Sequence, residues 1–418
     1  MSTKNLAVNS TVLLSHTSQN YKRDRVLNTK SDITQLNIFH KYTEKYNNSR
    51  QKIIILNIFL FTIGIGILSI QQSIAQVTGH GVKWHPGHYY ELVGQGNKGD
   101  SWYLNNVYNE LQQTPALKGV VIRFRWGELE TSTPNVYDFS AVADRLSELS
   151  SLKKRLIVLI ETKSNTPDVE NTLVPSYAKS AIYEGAIYPY DASDSRSGYG
   201  TKLWNANVRW RLTRLVRELG KQFNSHPYFE GIGFSESATG KPATPLTSAQ
   251  VDSFYANLLT LNKELKTSFP NSLTFQYLNY PRKILGSFID IFKQKGIALG
   301  NPDVFLDDPG LSFPGTKYSP PGVYTYYPKL SGTIPLVVQV ENANYLNTRH
   351  DNTGYQPTVG ELFAFAKDNL DVNYLFWTRT PGFYTKVLEL LNYNSQRISN
   401  TGGLRFACPT TYSSCLEN

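Results

Sequence analysis

From residue 80 onward, short runs rich in β-branched and aromatic residues alternate with longer amphipathic stretches, and eight such runs are counted. That alternation constrains the fold more than any other feature. Consecutive parallel strands need a crossover of a dozen or more residues, usually a helix. The strand candidates are Gly81–Trp84, Gly119–Trp126, Arg155–Glu161, Phe229–Glu236, Leu273–Tyr280, Ile297–Leu306, Pro335–Glu341 and Asn373–Thr378. Helical patterns lie between them at Ser101–Gln113, Ala141–Lys153, Ala206–Phe223, Ser248–Ser268, Arg282–Lys295 and Val359–Asn369. In the third, Val208, Leu212, Leu215, Val216 and Leu219 recur at helical spacing, and Arg209, Arg211, Arg214 and Arg217 read as its solvated face. The expected architecture is α/β: a (β/α)8 TIM barrel with extended loops, Thr162–Leu203 and Asp307–Thr333, at its C-terminal face.

The segments outside the barrel have characters of their own. Ile53 to Ile70 is an 18-residue apolar run, preceded by Arg50 and Lys52 and followed by Ser73-Ile74-Ala75. It reads as a secretory signal within residues 51–75, cleaved after Ala75, with an uncleaved membrane anchor as the alternative. Residues 1–50 form a polar extension, residues 76–400 the barrel and residues 401–418 a tail. Secretion or a periplasmic location is expected. Membrane association is expected only if the 53–70 segment remains as an anchor. In the tail, Cys408 and Cys415 are the chain's two cysteines and suit a small disulfide-closed loop in an exported protein.

The formal charge of +9 does not indicate a nucleic-acid partner, because nine Lys/Arg against three Asp/Glu fall in residues 1–75. No zinc-finger spacing, arginine-rich tract or RNA-binding signature accompanies it. Gly94-Gln95-Gly96-Asn97-Lys98-Gly99 fits a dinucleotide fingerprint in spelling only; it reads as a loop leading to Asp100 or Ser101 as helix cap. His80, His85 and His88 lack a carboxylate or thiolate in ligand spacing. No metal or other cofactor is expected. The 13% aromatic share, with 27 Tyr, exceeds what a core requires and suits carbohydrate, whose apolar ring faces stack on flat side chains.

Two acids end apolar strands: Glu236 after Gly231-Ile232-Gly233-Phe234-Ser235, and Glu341 after Leu336-Val337-Val338-Gln339-Val340. An ionised carboxylate is unfavourable packing there and needs water or partners. At a barrel's C-terminal rim it projects into a shared mouth. Acetal cleavage requires such a pair, one carboxyl to protonate the leaving oxygen and one carboxylate to attack the anomeric carbon.

By the eight-strand count these acids follow strands four and seven, which resembles clan A, the (β/α)8 retaining glycoside hydrolases of the β-galactosidase-like and cellulase-like superfamily. The resemblance implies Glu236 as acid/base and Glu341 as nucleophile of a retaining glycosidase acting on an oligo- or polysaccharide. The segment Val121 to Glu130, with Tyr137-Asp138-Phe139, is similar to the clan's second-strand region, whose Arg supports the nucleophile. Arg123 and Arg125 share a face; Arg125, nearer the rim, is assigned that role, with Trp126 beside it. Trp377 resembles the eighth-strand Trp that floors the sugar site. Tyr277, Tyr280 and Asn279 on strand five, and Trp84 and His85 ending strand one, are further substrate-binding candidates. Ser235 stands where the clan carries a sugar-binding Asn. That substitution makes a catalytically inactive carbohydrate-binding barrel the alternative. A barrel hydrolase of other chemistry using Glu161 or Asp307 is a third reading.

Overall fold

The computed structural model describes residues 81–94, 96–97, 99–164, 170–191, 197–346 and 354–417. The expected signal or anchor at 53–70, its polar extension and His80 lie outside them. Eight parallel strands close into a barrel in the order of the chain: β1 (Gly87–Leu92), β2 (Leu117–Arg125), β3 (Arg155–Glu161), β4 (Phe229–Phe234), β5 (Leu273–Tyr277), β6 (Ala298–Asn301), β7 (Leu336–Val340) and β8 (Tyr374–Thr378). β8 pairs with β1 from Tyr374 against Gly87 to Thr378 against Glu91. This is a (β/α)8 TIM barrel.

Strand side chains alternate between two cores. Val121, Ile157, Leu159, Phe275, Val337 and Phe376 fill the barrel interior. Val120, Ile122, Val158, Ile232, Leu299, Val338, Leu375 and Trp377 face outward, into the layer shared with the helices. On β4 a Cβ added to Gly233 would lie 2.5 Å from the Phe275 ring, so glycine there admits the neighbouring strand's aromatic.

The principal crossover helices are α1 (Ser101–Gln113), α2 (Ser140–Ser151), α3 (Ala206–Phe223), α4 (Ser248–Ser268), α5 (Leu285–Lys295), α6 (Tyr327–Leu330), α7 (Val359–Ala364) and α8 (Tyr384–Leu391). Polar side chains start several of them. Asp100 accepts from the Tyr103 amide, Asn205 from those of Asn207 and Val208, and Thr247 and Thr358 form capping boxes with Gln250 and Glu361. No helix among the described residues is long and apolar enough to cross a membrane.

Two expectations change. The first barrel strand is Gly87–Leu92, not Gly81–Trp84. Val82–Lys83 instead pairs with Cys415–Leu416 outside the barrel. The sequence Gly-His-Tyr-Tyr-Glu-Leu hides its strand, because the buried polar groups of His88 and Glu91 interrupt the apolar pattern. Arg211 is also not on a solvated face of α3; it is buried in an ion pair with Glu130.

Two additions flank the barrel. The loop after β3 forms a small antiparallel sheet from Lys163–Ser164, Ser197–Thr201 and Ile187–Asp191, completed by Lys241–Pro242 from after β4. The C-terminal tail, with its Cys408–Cys415 disulfide, packs at the barrel's N-terminal end, where Trp84 donates to the Phe406 carbonyl and His88 bonds that of Gly402.

Candidate active site

Glu341 follows β7, whose inward positions are Val337 and Gln339. Its carboxylate accepts from Arg123 Nη2 at 2.6 Å and from Gln339 Nε2 at 2.7 Å. Gln339 also donates to Thr378 Oγ1 on β8. Arg123 in turn donates from Nε to Glu91 on β1 at 2.5 Å. One guanidinium thus ties the ends of β1, β2 and β7 together. Burial drives the Glu91 carboxyl up to about 7 against the pull of Arg123, and Glu341 and Glu161 push it the same way.

Glu236 lies two residues beyond β4. Asn279 donates to its Oε2 at 2.7 Å, and the Lys163 ammonium pairs with Oε1. Lys163 is fixed by a 2.8 Å bond to the Ala238 carbonyl and lies over the Tyr190 ring. Burial works to raise the Glu236 carboxyl, but Lys163, aided by Asn279 and Arg123, outweighs it and holds the group below its ordinary value. Glu236 and Glu341 keep 27% and 29% of their side-chain surface open, so solvent or a ligand reaches both.

Between them in barrel order comes β6, and Asp303 lies two residues past its end. Its Oδ1 accepts from Asn344 Nδ2 at 3.3 Å, while Asn344 Oδ1 accepts from the Glu341 amide at 2.7 Å. Burial, with Glu236 and Glu341 both nearby, pushes the Asp303 carboxyl up to about 8.

The other sequence candidates fall elsewhere. Arg125 does not hold Glu341; its Nε donates to Glu161 at 2.8 Å and its Nη1 to Thr172. Being nearer the rim carries it past Glu341, and Arg123, one inward position deeper, meets that carboxylate. Trp126 is buried, its indole donating to Glu130 at 2.7 Å, outside the mouth. Trp377 faces the helix layer, where its indole donates to His88 Nδ1 at 3.0 Å, because strand alternation turns Phe376 and Thr378 inward instead. Trp84 and His85 precede β1 and therefore sit at the opposite end of the barrel. There His85 bonds Glu230 at 2.8 Å.

Ser235 is buried, its hydroxyl accepting from the Thr162 amide at 3.0 Å, so it links β3 to β4 instead of facing a ligand. Asn279 does reach Glu236. Tyr277 points into the barrel near Glu91, Arg123 and Glu341, and its hydroxyl meets no hydrogen-bond partner among the described residues. Glu161 is taken up by Arg125, with Arg123 3.7 Å away. Asp308 caps the Gly310 and Leu311 amides.

Four members of the site escaped the sequence reading. Glu91 was hidden with its strand, and Arg123 was passed over for its neighbour. Lys163 arrives two residues after Glu161 on the first strand of the added sheet. Asp303 fell inside an expected strand running to Leu306, although Pro302, which cannot donate to a ladder, signals the strand's end at Asn301.

No known family's profile matches the chain, and no curated protein matches it. Solved structures do. The catalytic domain of a β-amylase from Paenibacillus polymyxa superposes with a TM-score of 0.50 at 11% identity, covering 74% of this chain and 98% of that one. The chain shares the (β/α)8 fold of a glycoside hydrolase. Other matches are β-galactosidases from Bacillus circulans sp. alkalophilus, with a TM-score of 0.47, 12% identity and 72% of this chain covered, and from Marinomonas ef1, with 0.46, 9% and 70%. The chain spans 51% and 54% of those two enzymes.

Proposed function

We propose that the protein is a glycoside hydrolase that cleaves an oligo- or polysaccharide by retaining double displacement, with Glu341 as the nucleophile. The observation that carries this reading is the placement of Glu341 and Glu236 after β7 and β4, each partly open to the mouth and each held by donors from other strands. Arg123 and Gln339 both donate to Oε1 of Glu341 and so orient the carboxylate that attacks an anomeric carbon on this reading. Glu236, across β5 and β6, serves the leaving-group side.

Screening plant, algal and bacterial glycans for reducing-end release tests the activity. On a cleaved substrate, Glu341→Ala should abolish hydrolysis, azide should restore turnover with inverted product, and a fluorosugar should label Glu341. Near-wild-type hydrolysis by Glu341→Ala, or a label on Glu161 or Asp307, rejects the assignment. Binding-only function gains support from one observation, the ammonium held against Glu236, and would be established by glycan binding without cleavage in parent and variants alike. The apolar run Ile53–Ile70 supports action outside the cytoplasm. A mature N-terminus near Gln76 in protein from its host is the expected sign, and an intact terminus upstream of Arg50 in the membrane fraction would mean an anchor instead.

A further inference from the structure

Beside the mouth, a cavity of about 240 Å³ lies between the Ile187–Asp191 strand of the small sheet and the segments that lead into α3 and α4. Both helices follow the C-terminal ends of barrel strands, so the cavity is at the same end of the barrel as Glu236 and Glu341. Its walls are the flat side chains of Tyr188, Pro189, Trp204 and Pro245. Tyr188 lies across Gly200 of the paired strand, where an added Cβ would come within 2.5 Å of the ring, and its hydroxyl donates to the Thr239 carbonyl at 3.1 Å. The Trp204 ring stands 5.2 Å from that of Tyr188 and is half-buried.

The polar groups around these walls are of both kinds. Glu184 accepts from the Trp204 indole at 3.1 Å and from the Asn205 amide at 3.0 Å, which leaves lone pairs on both oxygens. It sits in a left-handed turn, with φ of 53°, 77° and 57° at Glu184, Gly185 and Ala186, a backbone that side chains at 184 and 186 disfavour. The Lys202 amide fastens that turn through the Ala186 carbonyl at 2.7 Å, and the Lys202 ammonium donates to the Glu184 carbonyl at 2.6 Å. Gln250 uses its Oε1 in the cap of α4, while its Nε2, like the Thr244 hydroxyl, meets no partner among the described residues.

This composition selects a ligand class. A wholly apolar group would cover Glu184 and Gln250 without satisfying them, and an anion would face the Glu184 carboxyl. A sugar ring offers apolar C–H faces to the aromatic and proline walls, with hydroxyls that donate to Glu184 and accept from Gln250 and Lys202. The cavity is also linked to the mouth. Lys163, the partner of Glu236, lies 5.1 Å from the Tyr190 ring, Tyr190 is 6.3 Å from Tyr188 two positions along the same strand, and Tyr188 adjoins Trp204.

Resting on the glycosidase reading of the mouth, we propose that this cavity is a second saccharide site, which holds an uncharged sugar residue of the polysaccharide on the Glu236 side of the mouth. Two sites engaging one chain gain from the effective concentration that the connecting sugars set, so losing the second weakens the hold on a long ligand.

Affinity electrophoresis of the full chain carrying Glu341→Ala tests this on uncleaved ligand. The probes are mixed-linkage β-glucan, xylan, galactan, galactomannan, laminarin and dextran, with alginate and polygalacturonate as charged counterparts. At least one uncharged polysaccharide should bind, and adding Trp204→Ala should weaken it about tenfold or more. Thr244→Trp, at an exposed position on the rim, should obstruct the cavity and weaken binding likewise, which keeps the test standing if circular dichroism shows Trp204→Ala to be misfolded. Binding unchanged by both substitutions overturns the proposal, as does binding to the charged polysaccharides alone or to none of the probes. If the wild type cleaves a polysaccharide that both cavity variants still bind like their parent, the second site is wrong and the glycosidase reading stands. If binding depends on Trp204 and Thr244 while the wild type cleaves no glycan, the saccharide site stands and the glycosidase reading fails.

Discussion

Arg123 makes two close charge-assisted contacts in the mouth, to Glu91 at 2.5 Å and Glu341 at 2.6 Å. Removing it leaves two carboxyls facing one another without a cation, a loss that typically costs about 3–5 kcal/mol for a buried pair. It also removes one of the two side-chain donors that hold the Glu341 carboxylate in place, so on the proposed reading the attacking group loses its orientation. Arg123→Ala should therefore lower hydrolysis on the order of 10²–10³-fold, as for loss of one preorganised electrostatic contact at a reacting centre, and should lower the unfolding midpoint in urea. Arg125→Ala releases Glu161 and Thr172 and leaves Glu341 with both its donors, so its effect on rate should be much the smaller. Equal losses in the two variants, measured at saturating substrate, would show that Glu341 does not depend on Arg123.

At the level of elements, the sequence was informative where burial alone sets the pattern. The expected bounds of α3 and α4 coincide with those observed, since their apolar stripes and N-caps are local signals. β1 was misplaced because two buried polar groups, one on each face of the strand, break the apolar pattern and are satisfied only by distant partners, Glu91 by Arg123 and His88 by Gly402. The face of Trp377 follows from where β8 begins, and the depth of Arg123 from the barrel's register, neither of which a single strand encodes. The position of Glu236 and Glu341 at the mouth was legible because each ends an apolar strand, where an ionised carboxyl needs water or partners. Asp303 and Lys163 were not, since their neighbours come from other strands. The stretch Trp126 to Glu130 illustrates the difference between motif and role. Glu130 is buried and accepts from the Trp126 indole, from the Asn135 amide at 2.7 Å and from Arg211 of α3. It pins the turn after β2 to α3 and touches nothing in the mouth. Glu130→Ala should destabilise the fold by about 3–5 kcal/mol in urea unfolding through the uncompensated Arg211, with kcat little changed at a temperature where the variant remains folded. A loss of kcat without loss of stability would return this stretch to the site.

Across the whole molecule, the two ends of the barrel carry opposed electrostatic arrangements. At the N-terminal end Glu230 is fully buried yet held down to about 2, because His85, Arg155 and the Tyr374 hydroxyl overcome its burial. At the mouth Glu91 and Asp303 are raised to about 7 and about 8. His88, buried against the helix layer, is lowered to about 4 by that burial. These shifts fix the sign of stability against pH. Glu230 releases its proton more readily in the folded chain, so its contribution, on the order of 3 kcal/mol, is complete above the ordinary carboxylate range and lost as pH falls toward 2. His88 resists protonation when folded, so stability also falls as pH drops from about 6.5 to about 4. Glu91 and Asp303 hold protons that the unfolded chain has released, so each costs stability progressively as pH rises from the ordinary carboxylate range to 7 or 8. Above the ordinary carboxylate range Glu230 no longer titrates, and up to about 6.5 Glu91 and Asp303 together oppose His88, which places the maximum on the acid side, near pH 5, with the buried Lys83, lowered to about 8, reversing the trend only above that value. Thermal unfolding followed by circular dichroism from pH 3 to 8 should show that maximum. Asp303→Asn should flatten the decline between pH 5 and 8, and Glu230→Gln should flatten the decline below pH 4.5 while lowering stability at neutrality, because His85 and Arg155 lose their counter-ion. A melting temperature that rises steadily from pH 5 to 8 in the wild type would show that neither mouth carboxyl carries its proton into the neutral range.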